Sequence, residues 1–393
     1  MPELPVANPL VADTGTPPIP QARAWLDTYD GRHGPALNLS QAAPGTPPPP
    51  ELRAALARAA ADPATSSYGP ILGDDALRAA YAAHTADVYG ATTAPDEIAI
   101  TTGCNQAFLV AILAVAKAGD AVLLPEPWYF NHQMTLQMLG IRVVPLPCRA
   151  EHGFVPDVAE ARDLMRRHAC RALVLVTPNN PTGAIYSAAV LRGLAELAAE
   201  SGAWLVLDET YRDFLNTAEA RPHDLLADRH HADRLIQLYS FSKSYAMPGQ
   251  RIGALRAPLK LMPDIAKILD CVQICAPRVG QAALVAAIAD LAAWREANRA
   301  DIVARARAFE RALGSGNGWA IRSIGAYFAY VEHPFLDRTA TDAARQLAQT
   351  AGVLVLPGTY FGGESQTRYL RFAFANATSD ALAGIAARLD LVQ

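Results

Sequence analysis

From residue 96 to about 257 the chain alternates short apolar runs with helical segments, and this alternation limits the available folds more than any other feature. The runs are Ile98–Thr101, Ala121–Leu124, Arg142–Leu146, Ala172–Val176, Trp204–Leu207, Leu235–Tyr239 and Ile252–Arg256. Helical patterns lie between most of them, at Gln106–Ala118, Tyr129–Leu139, Val158–His168 and Ser187–Ser201. Strands that are apolar on both faces need helices on both sides of their sheet. The expectation is therefore an α/β fold with a mostly parallel central sheet sandwiched by helices. In such sheets ligands bind beyond the carboxyl ends of the strands, so the chemistry is expected just after the apolar runs.

The flanks read differently. Residues 1–50 are proline-rich, with Pro17-Pro18, Pro20 and Pro47-Pro48-Pro49-Pro50, and are expected to form an extended arm with a short helix near Gln21–Thr28. Helices are expected at Glu51–Ala61 and Asp74–Tyr89. Past Pro258 a long helical region, Gly280–Leu313, precedes a strand at Ala326–Val331, a helix at Thr341–Thr350, strands at Val353–Leu356 and Tyr369–Phe374, and a final helix. The organisation expected is an arm over 1–50, a large domain over 51–280 built on the central sheet, and a small α+β domain over 281–393 that the arm joins. With 393 residues the chain can build two cores.

A net charge of −4 gives no reason to expect nucleic acid or an anionic membrane as partner. The longest apolar stretch, Ala107–Ala118, is too short to span a bilayer, and Met1-Pro2-Glu3-Leu4-Pro5 lacks the layout of a signal peptide. Five cysteines without metal-ligand spacing are expected to be reduced thiols in a cytoplasmic protein, with Cys271 and Cys275 on one helix face.

Several polar clusters interrupt this apolar pattern. Ser240-Phe241-Ser242-Lys243 follows the run Leu235–Tyr239, and Arg251 lies eight residues beyond the lysine. Burial makes an ammonium costly, lowers its pKa and leaves a nucleophilic amine able to condense with a carbonyl. Two hydroxyls and a guanidinium suit a phosphate. An aldehyde on a phosphate-bearing ring is pyridoxal 5′-phosphate. Thr102-Gly103-Cys104-Asn105 opens a helix and offers backbone N–H groups to an anion. Trp128-Tyr129-Phe130 can stack on a planar ring. Asn180 stands in the polar turn Thr177–Gly183. Asp208 enters after an apolar strand and needs a cationic partner, with Tyr211 three residues on. Arg371, in Tyr369-Leu370-Arg371-Phe372, is a carboxylate fork among apolar neighbours, whereas Arg368 is expected at the exposed edge. Each cluster alone also has an ordinary reading as turn, cap or core packing.

Together, the order Gly103, Tyr129, Asn180-Pro181-Thr182-Gly183, Asp208-x-x-Tyr211, Ser240-x-Ser242-Lys243, Arg251, Arg371 resembles the class I/II aminotransferases, the aspartate aminotransferase superfamily of fold-type-I pyridoxal-phosphate enzymes. The resemblance runs from about residue 37 to 393. It implies a homodimer that moves an amino group between an L-amino acid and a 2-oxo acid by a ping-pong route. It makes Lys243 the Schiff-base lysine and proton carrier, and Asp208 the partner of the ring nitrogen, backed by His132. Tyr211 and Asn180 would face the ring oxygen and Tyr129 the ring. Gly103, Cys104, Asn105, Ser240, Ser242 and Arg251 would form the phosphate cup. Arg371 and Asn180 would bind the substrate α-carboxylate, and Tyr68 would reach the neighbouring protomer's phosphate. The chain departs from the family pattern at Ala42, where glycine is common, and at Cys104 and Asn105. A C–S β-lyase, a cyclase or an oxidase of amino acids begins with the same groups. A DNA-binding regulator built on this domain lacks support, since only about 36 proline-rich residues precede the resemblance. Trp25, Tyr29, Trp128 and Phe361 are candidate liners of the substrate pocket, and the arm is a candidate lid.

Overall fold

The computed structural model describes residues 7–216, 221–314 and 318–392. After a two-residue strand in the arm, β1 (Leu37–Asn38), come seven strands that form one sheet: β2 (Ile98–Thr101), β3 (Ala121–Glu126), β4 (Arg142–Pro147), β5 (Ala172–Val176), β6 (Trp204–Asp208), β7 (Leu235–Ser240) and β8 (Gly253–Arg256). Their order is β2-β8-β7-β6-β5-β3-β4. Every neighbouring pair is parallel except those of β8, which runs antiparallel to both β2 and β7. Six strands therefore share one direction and one carboxyl edge.

The apolar runs are continuous because both faces are covered. Along β5, Leu173 and Leu175 face a core built with Met165, Leu191 and Leu194 from two helices, Val158–His168 and Ala188–Glu200. Ala172 and Val174 face the opposite core, with Phe108 and Ile112 of helix Cys104–Val115 and Ile265 and Leu269 of helix Met262–Val272. Each fully buried leucine, isoleucine, valine, phenylalanine or methionine among them contributes about 1.5–3 kcal/mol of transfer free energy.

A second sheet is antiparallel and built from β9 (Ala320–Gly325), β10 (Phe328–Glu332), β12 (Leu356–Pro357) and β13 (Tyr369–Phe372), in the order β12-β13-β10-β9. The short β11 (Val353–Leu354) pairs in parallel with β1, and Ala373 N–H donates to the Leu39 carbonyl at 2.8 Å. The arm is thus stitched to the smaller sheet's body. It also touches the larger one, where Gln137 Nε2 donates to the Asp13 carbonyl at 2.9 Å.

Several elements differ from the sequence expectation. The helical region Gly280–Leu313 is two helices, Arg278–Asp290 and Ala292–Leu313, broken at Leu291. The first buries Leu284 and Ile288 in a core shared with Ile98 and Tyr239, and the second buries Ile302 and Phe309 in the core of the smaller sheet. One straight helix cannot serve both cores, so the chain turns although its composition favours continuation. Strand β9 carries Arg322 and Ser323 and lacks the apolar run that marks the others. The last helix is two short ones that meet at Gly384, and the arm's helix is Pro18–Arg23 followed by a 3₁₀ segment, Ala24–Thr28. Cys271 and Cys275 do not share a helix face, because that helix ends at Val272. All five cysteines are unpaired. Among the described residues no helix is long and apolar enough to cross a membrane.

Candidate active site

At the shared carboxyl edge of the large sheet lies a cavity of about 470 Å³. Asn180 follows β5, Asp208 ends β6, and Ser240 ends β7 with Ser242 and Lys243 in the turn beyond. Arg251 is an exception to the expectation that site residues follow apolar runs, for it precedes β8. Because β8 is the reversed strand, its start lies at the carboxyl edge of the others. Arg371 is a second exception. It sits within β13, opposite Tyr330 of β10 and Leu356 of β12.

At one end of the cavity a helix start, a guanidinium and two serines come together. Gly103 precedes helix Cys104–Val115 with φ +81°, and a Cβ there would lie 2.2 Å from an Arg251 guanidinium nitrogen. Only glycine allows the arginine to close over the start of this helix, where backbone N–H groups point outward. Arg251 itself is held at φ +54°, a strained conformation for a side chain of its size. The hydroxyls of Ser240 and Ser242 are buried beside it.

The middle of the cavity holds an amine opposite a carboxylate. Burial, followed by the positive charges of Arg251 and Arg371, pushes the Lys243 amine down to about 8. Its Nζ donates to the Ala42 carbonyl, so the position where the sequence departs from the family pattern lies against the lysine. Burial alone would raise the Asp208 carboxyl, but the hydrogen bond and charge of His132, with further bonds from Thr210, hold it below the ordinary carboxylate range. His132 Nε2 lies 3.2 Å from Asp208 Oδ2, and Thr210 N–H donates to Oδ1 at 2.9 Å. The His132 ring stacks on Phe108, with centroids 3.9 Å apart. The Cys104 thiol lies 3.6 Å from Asp208 Oδ1, and burial keeps it protonated. Tyr129 and Tyr211 line the same space, and burial pushes both phenols up, that of Tyr129 to about 12.

At the other end Arg371 is 1% exposed. It donates to Asn180 Oδ1 at 3.0 Å and to the Ser40 carbonyl, and its guanidinium lies between the rings of Phe328 and Phe361, 5.1 and 4.8 Å away. Among the described residues its buried Nε has no partner. Burial lowers its pKa to about 10, still far above neutrality. Arg368 is tied instead to the His333 carbonyl and to Glu332, away from the cavity.

The profile of the family described as aminotransferase class I and II matches residues 35–389. The chain belongs to the class I and II aminotransferases.

This aminotransferase is 30% identical to a valine–pyruvate aminotransferase of Mycobacterium tuberculosis over 371 residues, covering 93% of the chain and 94% of the relative. It is 28% identical to an aromatic aminotransferase of Arabidopsis thaliana, over 84% of the chain and 82% of the relative. Its fold superposes on a double mutant of Thermus thermophilus aspartate aminotransferase with a TM-score of 0.90 at 26% identity, covering 99% and 100% of the two chains.

Not every candidate reaches the cavity of this aminotransferase. Tyr68 is 79% exposed and lies outside its own chain's cavity. Trp25, Tyr29, Trp128 and Phe361 do not line it either. Phe361 is buried behind Arg371 and against Phe130, and Tyr29 donates to the Gly34 carbonyl within the arm. The arm's contribution comes instead from Pro17, Pro18, Ile19 and Pro20, with Gln41 and Ala42. Their signal in the sequence is a proline-rich segment, which carries no address for its partner. A buried polar network behind the site was also not foreseen. Asp213 accepts from Tyr239 at 2.7 Å and from Ser244 at 2.6 Å, which anchors the residue after Lys243. Arg212 lies 4.1 Å above the Tyr239 ring, and Glu209 accepts from Tyr89 at 2.7 Å. Residues next to Asp208 and Tyr211 in a short turn gave no hint that they point the opposite way.

Proposed function

We propose that this aminotransferase uses pyridoxal 5′-phosphate to exchange the amino group of an L-α-amino acid for the oxo group of a 2-oxo acid, with Lys243, Asp208 and Tyr211 as its catalytic residues. One observation carries the reading: an amine lowered to about 8 and a carboxylate kept ionised line one cavity, between an anion cradle and a buried guanidinium. The donor set fits the cofactor. Gly103, Cys104, Asn105, Ser240, Ser242 and Arg251 would hold its phosphate, Tyr129 its ring face, Tyr211 and Asn180 its ring oxygen, and Asp208 its ring nitrogen. Lys243 is the amine that would carry it. When bound, the cofactor supplies an electron sink for the carbon that loses its proton.

The protein's part is orientation and proton movement. Arg371 and Asn180 take the substrate α-carboxylate in a fork, which fixes the α-hydrogen relative to Lys243. Lys243 Nζ, near neutral pH, removes that proton and returns one. Asp208 stays negative throughout and holds a positive charge opposite it. The relatives' names differ in donor, from aromatic to valine, aspartate and arginine, and agree on amino transfer. The test is a single turnover with a panel of amino acids and no oxo acid present. One equivalent of oxo acid per site, without ammonia, supports the reading. Continuing release of ammonia or a thiol would establish elimination instead, and oxygen uptake would establish oxidation.

We further propose a homodimer with shared sites. The support is the exposed Tyr68, on a loop whose Gly69 N–H meets Cys275 Sγ at 3.4 Å, beside the exposed Val272 and Ile274. An arm over 1–50, a large domain and a small one remain our division of the chain. The expected boundary at 280/281 falls inside helix Arg278–Asp290, whose Leu284 and Ile288 pack with the large sheet, so we place it at the break at Leu291. A cytoplasmic setting remains our expectation for the chain's free thiols.

Two expected results follow from this site. Cofactor uptake by the cofactor-free protein accelerates as pH rises through about 8, because only the neutral Lys243 amine is a nucleophile. Stopped-flow absorbance against pH checks it, and a midpoint near 10.5 would overturn the assigned burial. Arg371→Lys keeps the charge and loses the fork, so kcat/KM for the amino acid falls about 10–100-fold while cofactor uptake is unchanged. Steady-state kinetics on the variant decide the matter, and an unchanged kcat/KM would remove Arg371 from the carboxylate site.

A further inference from the structure

The substrate class can be read from what remains of the cavity wall once the proposed reaction has used its charges. This step rests on the reading above. Among the described residues, the cations that line the cavity are Lys243, Arg251 and Arg371, and its carboxylate is Asp208. All four are already committed, Lys243 as the amine, Arg251 to the phosphate, Arg371 to the α-carboxylate and Asp208 to the ring nitrogen. Within one chain none is left for a charge at the far end of a substrate side chain.

The wall still unassigned is apolar. Pro17, Pro18, Ile19 and Pro20 of the arm line the cavity together with Phe130. Ile19 packs on the cluster that contains Phe130 and Phe361, and Phe361 in turn lies against the Arg371 guanidinium. This wall therefore begins beside the carboxylate fork, where the side chain of a bound amino acid would emerge. The amides on it, Asn131 and Gln41, carry no charge, and each has one atom already engaged. The Asn131 amide donates to Tyr129 at 2.7 Å, and Gln41 Oε1 accepts from Arg23 at 3.4 Å. Arg23 itself lies in an adjoining groove beside Asp27 and does not line the cavity. A carboxylate or ammonium held against this wall would lose its hydration and gain no counter-charge, whereas a hydrocarbon side chain loses nothing.

We propose that the amino donor has an uncharged, apolar side chain, an aliphatic or aromatic L-amino acid, and that Ile19, Pro20 and Phe130 select it. The arm, far from the lysine in sequence, is then a specificity element.

Two measurements on the holoenzyme test this. The first is the second-order constant for a single turnover with leucine, methionine and phenylalanine against aspartate, glutamate, lysine and arginine. The apolar donors are expected to be favoured by about 100-fold or more. Ile19→Arg is expected to raise the constants for aspartate and glutamate about 10-fold and to lower that for leucine, whereas Arg23→Gln leaves the preference unchanged. The second needs no turnover: binding of 4-methylpentanoate, succinate and glutarate, followed by the cofactor's absorbance. The monocarboxylate is expected to bind more tightly. Preference for a dicarboxylate or a dibasic amino acid in either measurement would overturn the proposal and place the missing charge on a neighbouring copy. If no amino acid reacts but the monocarboxylate still binds best, the proposed reaction fails and the apolar preference stands. If amino acids react with an acidic preference, the reaction stands and this inference fails.

Discussion

Lys243→Ala is expected to reduce turnover by about 10⁴-fold or more and to abolish the absorbance that marks a cofactor attached to the protein. Both effects trace to one atom. In the proposed reaction Nζ is the amine that would carry the cofactor and the base that would move the α-proton, and nothing else in the cavity can replace it. The nearest alternatives fail on chemistry. Arg371 stays protonated, Arg251 is held against Gly103 by its bond to the Pro248 carbonyl, and the Cys104 thiol is kept protonated by burial. The substitution leaves little structural damage, since the Ala42 carbonyl that accepts from Nζ faces the cavity wall and can take water. Added methylamine is expected to restore part of the proton transfer without restoring the attached cofactor. Steady-state turnover and an absorbance spectrum check both halves. A variant with more than one-tenth of the activity and an unchanged spectrum would place the chemistry elsewhere.

Asp208→Asn is expected to lower turnover by about 10³-fold while cofactor remains bound. The amide has the shape of the carboxylate and can still accept from Thr210 N–H at Oδ1. What it lacks is charge. A carboxylate held below its ordinary range by His132 and Thr210 is negative at neutral pH, so it can keep a ring nitrogen protonated. A neutral amide cannot. Stopped-flow kinetics of the half-reaction, with cofactor content measured in parallel, separate loss of electron withdrawal from loss of binding. A loss of less than about 10-fold would show that the charge at position 208 is not used. Full loss of cofactor would show that the residue holds the ring in place and does not tune it.

The clusters that were legible in the sequence are the local ones. Asn180, Asp208 and Lys243 each follow an apolar run directly, and a strand that ends in a polar turn delivers its next residues to the sheet's carboxyl edge whatever the rest of the chain does. Helix Val158–His168 is legible for the same reason. Its apolar period and its Asp157 cap, which accepts from Glu160 N–H at 2.8 Å, lie within one short segment. Arg371 is marked by contrast, as a charge amid Leu370 and Phe372.

What was not legible depends on partners distant in sequence. The apolar run Ile252–Arg256 reads as a strand and is silent on its direction, yet the reversal of β8 brings Arg251 to Gly103. The break at Leu291 arises because two cores compete for one helix, and no residue there is a helix breaker. Trp25 and Phe361 have the composition of pocket liners, but packing turned them into the core, while Ile19 and the neighbouring prolines face the cavity. Spacing within a few residues is enough to specify the sheet strands, the lysine turn, the carboxylate after β6 and the hydroxyl and guanidinium groups near the lysine. Which strand runs backward, where the arm lies and which of its residues face the cavity follow from the packed fold, because they depend on burial of surfaces that the chain brings together from opposite ends.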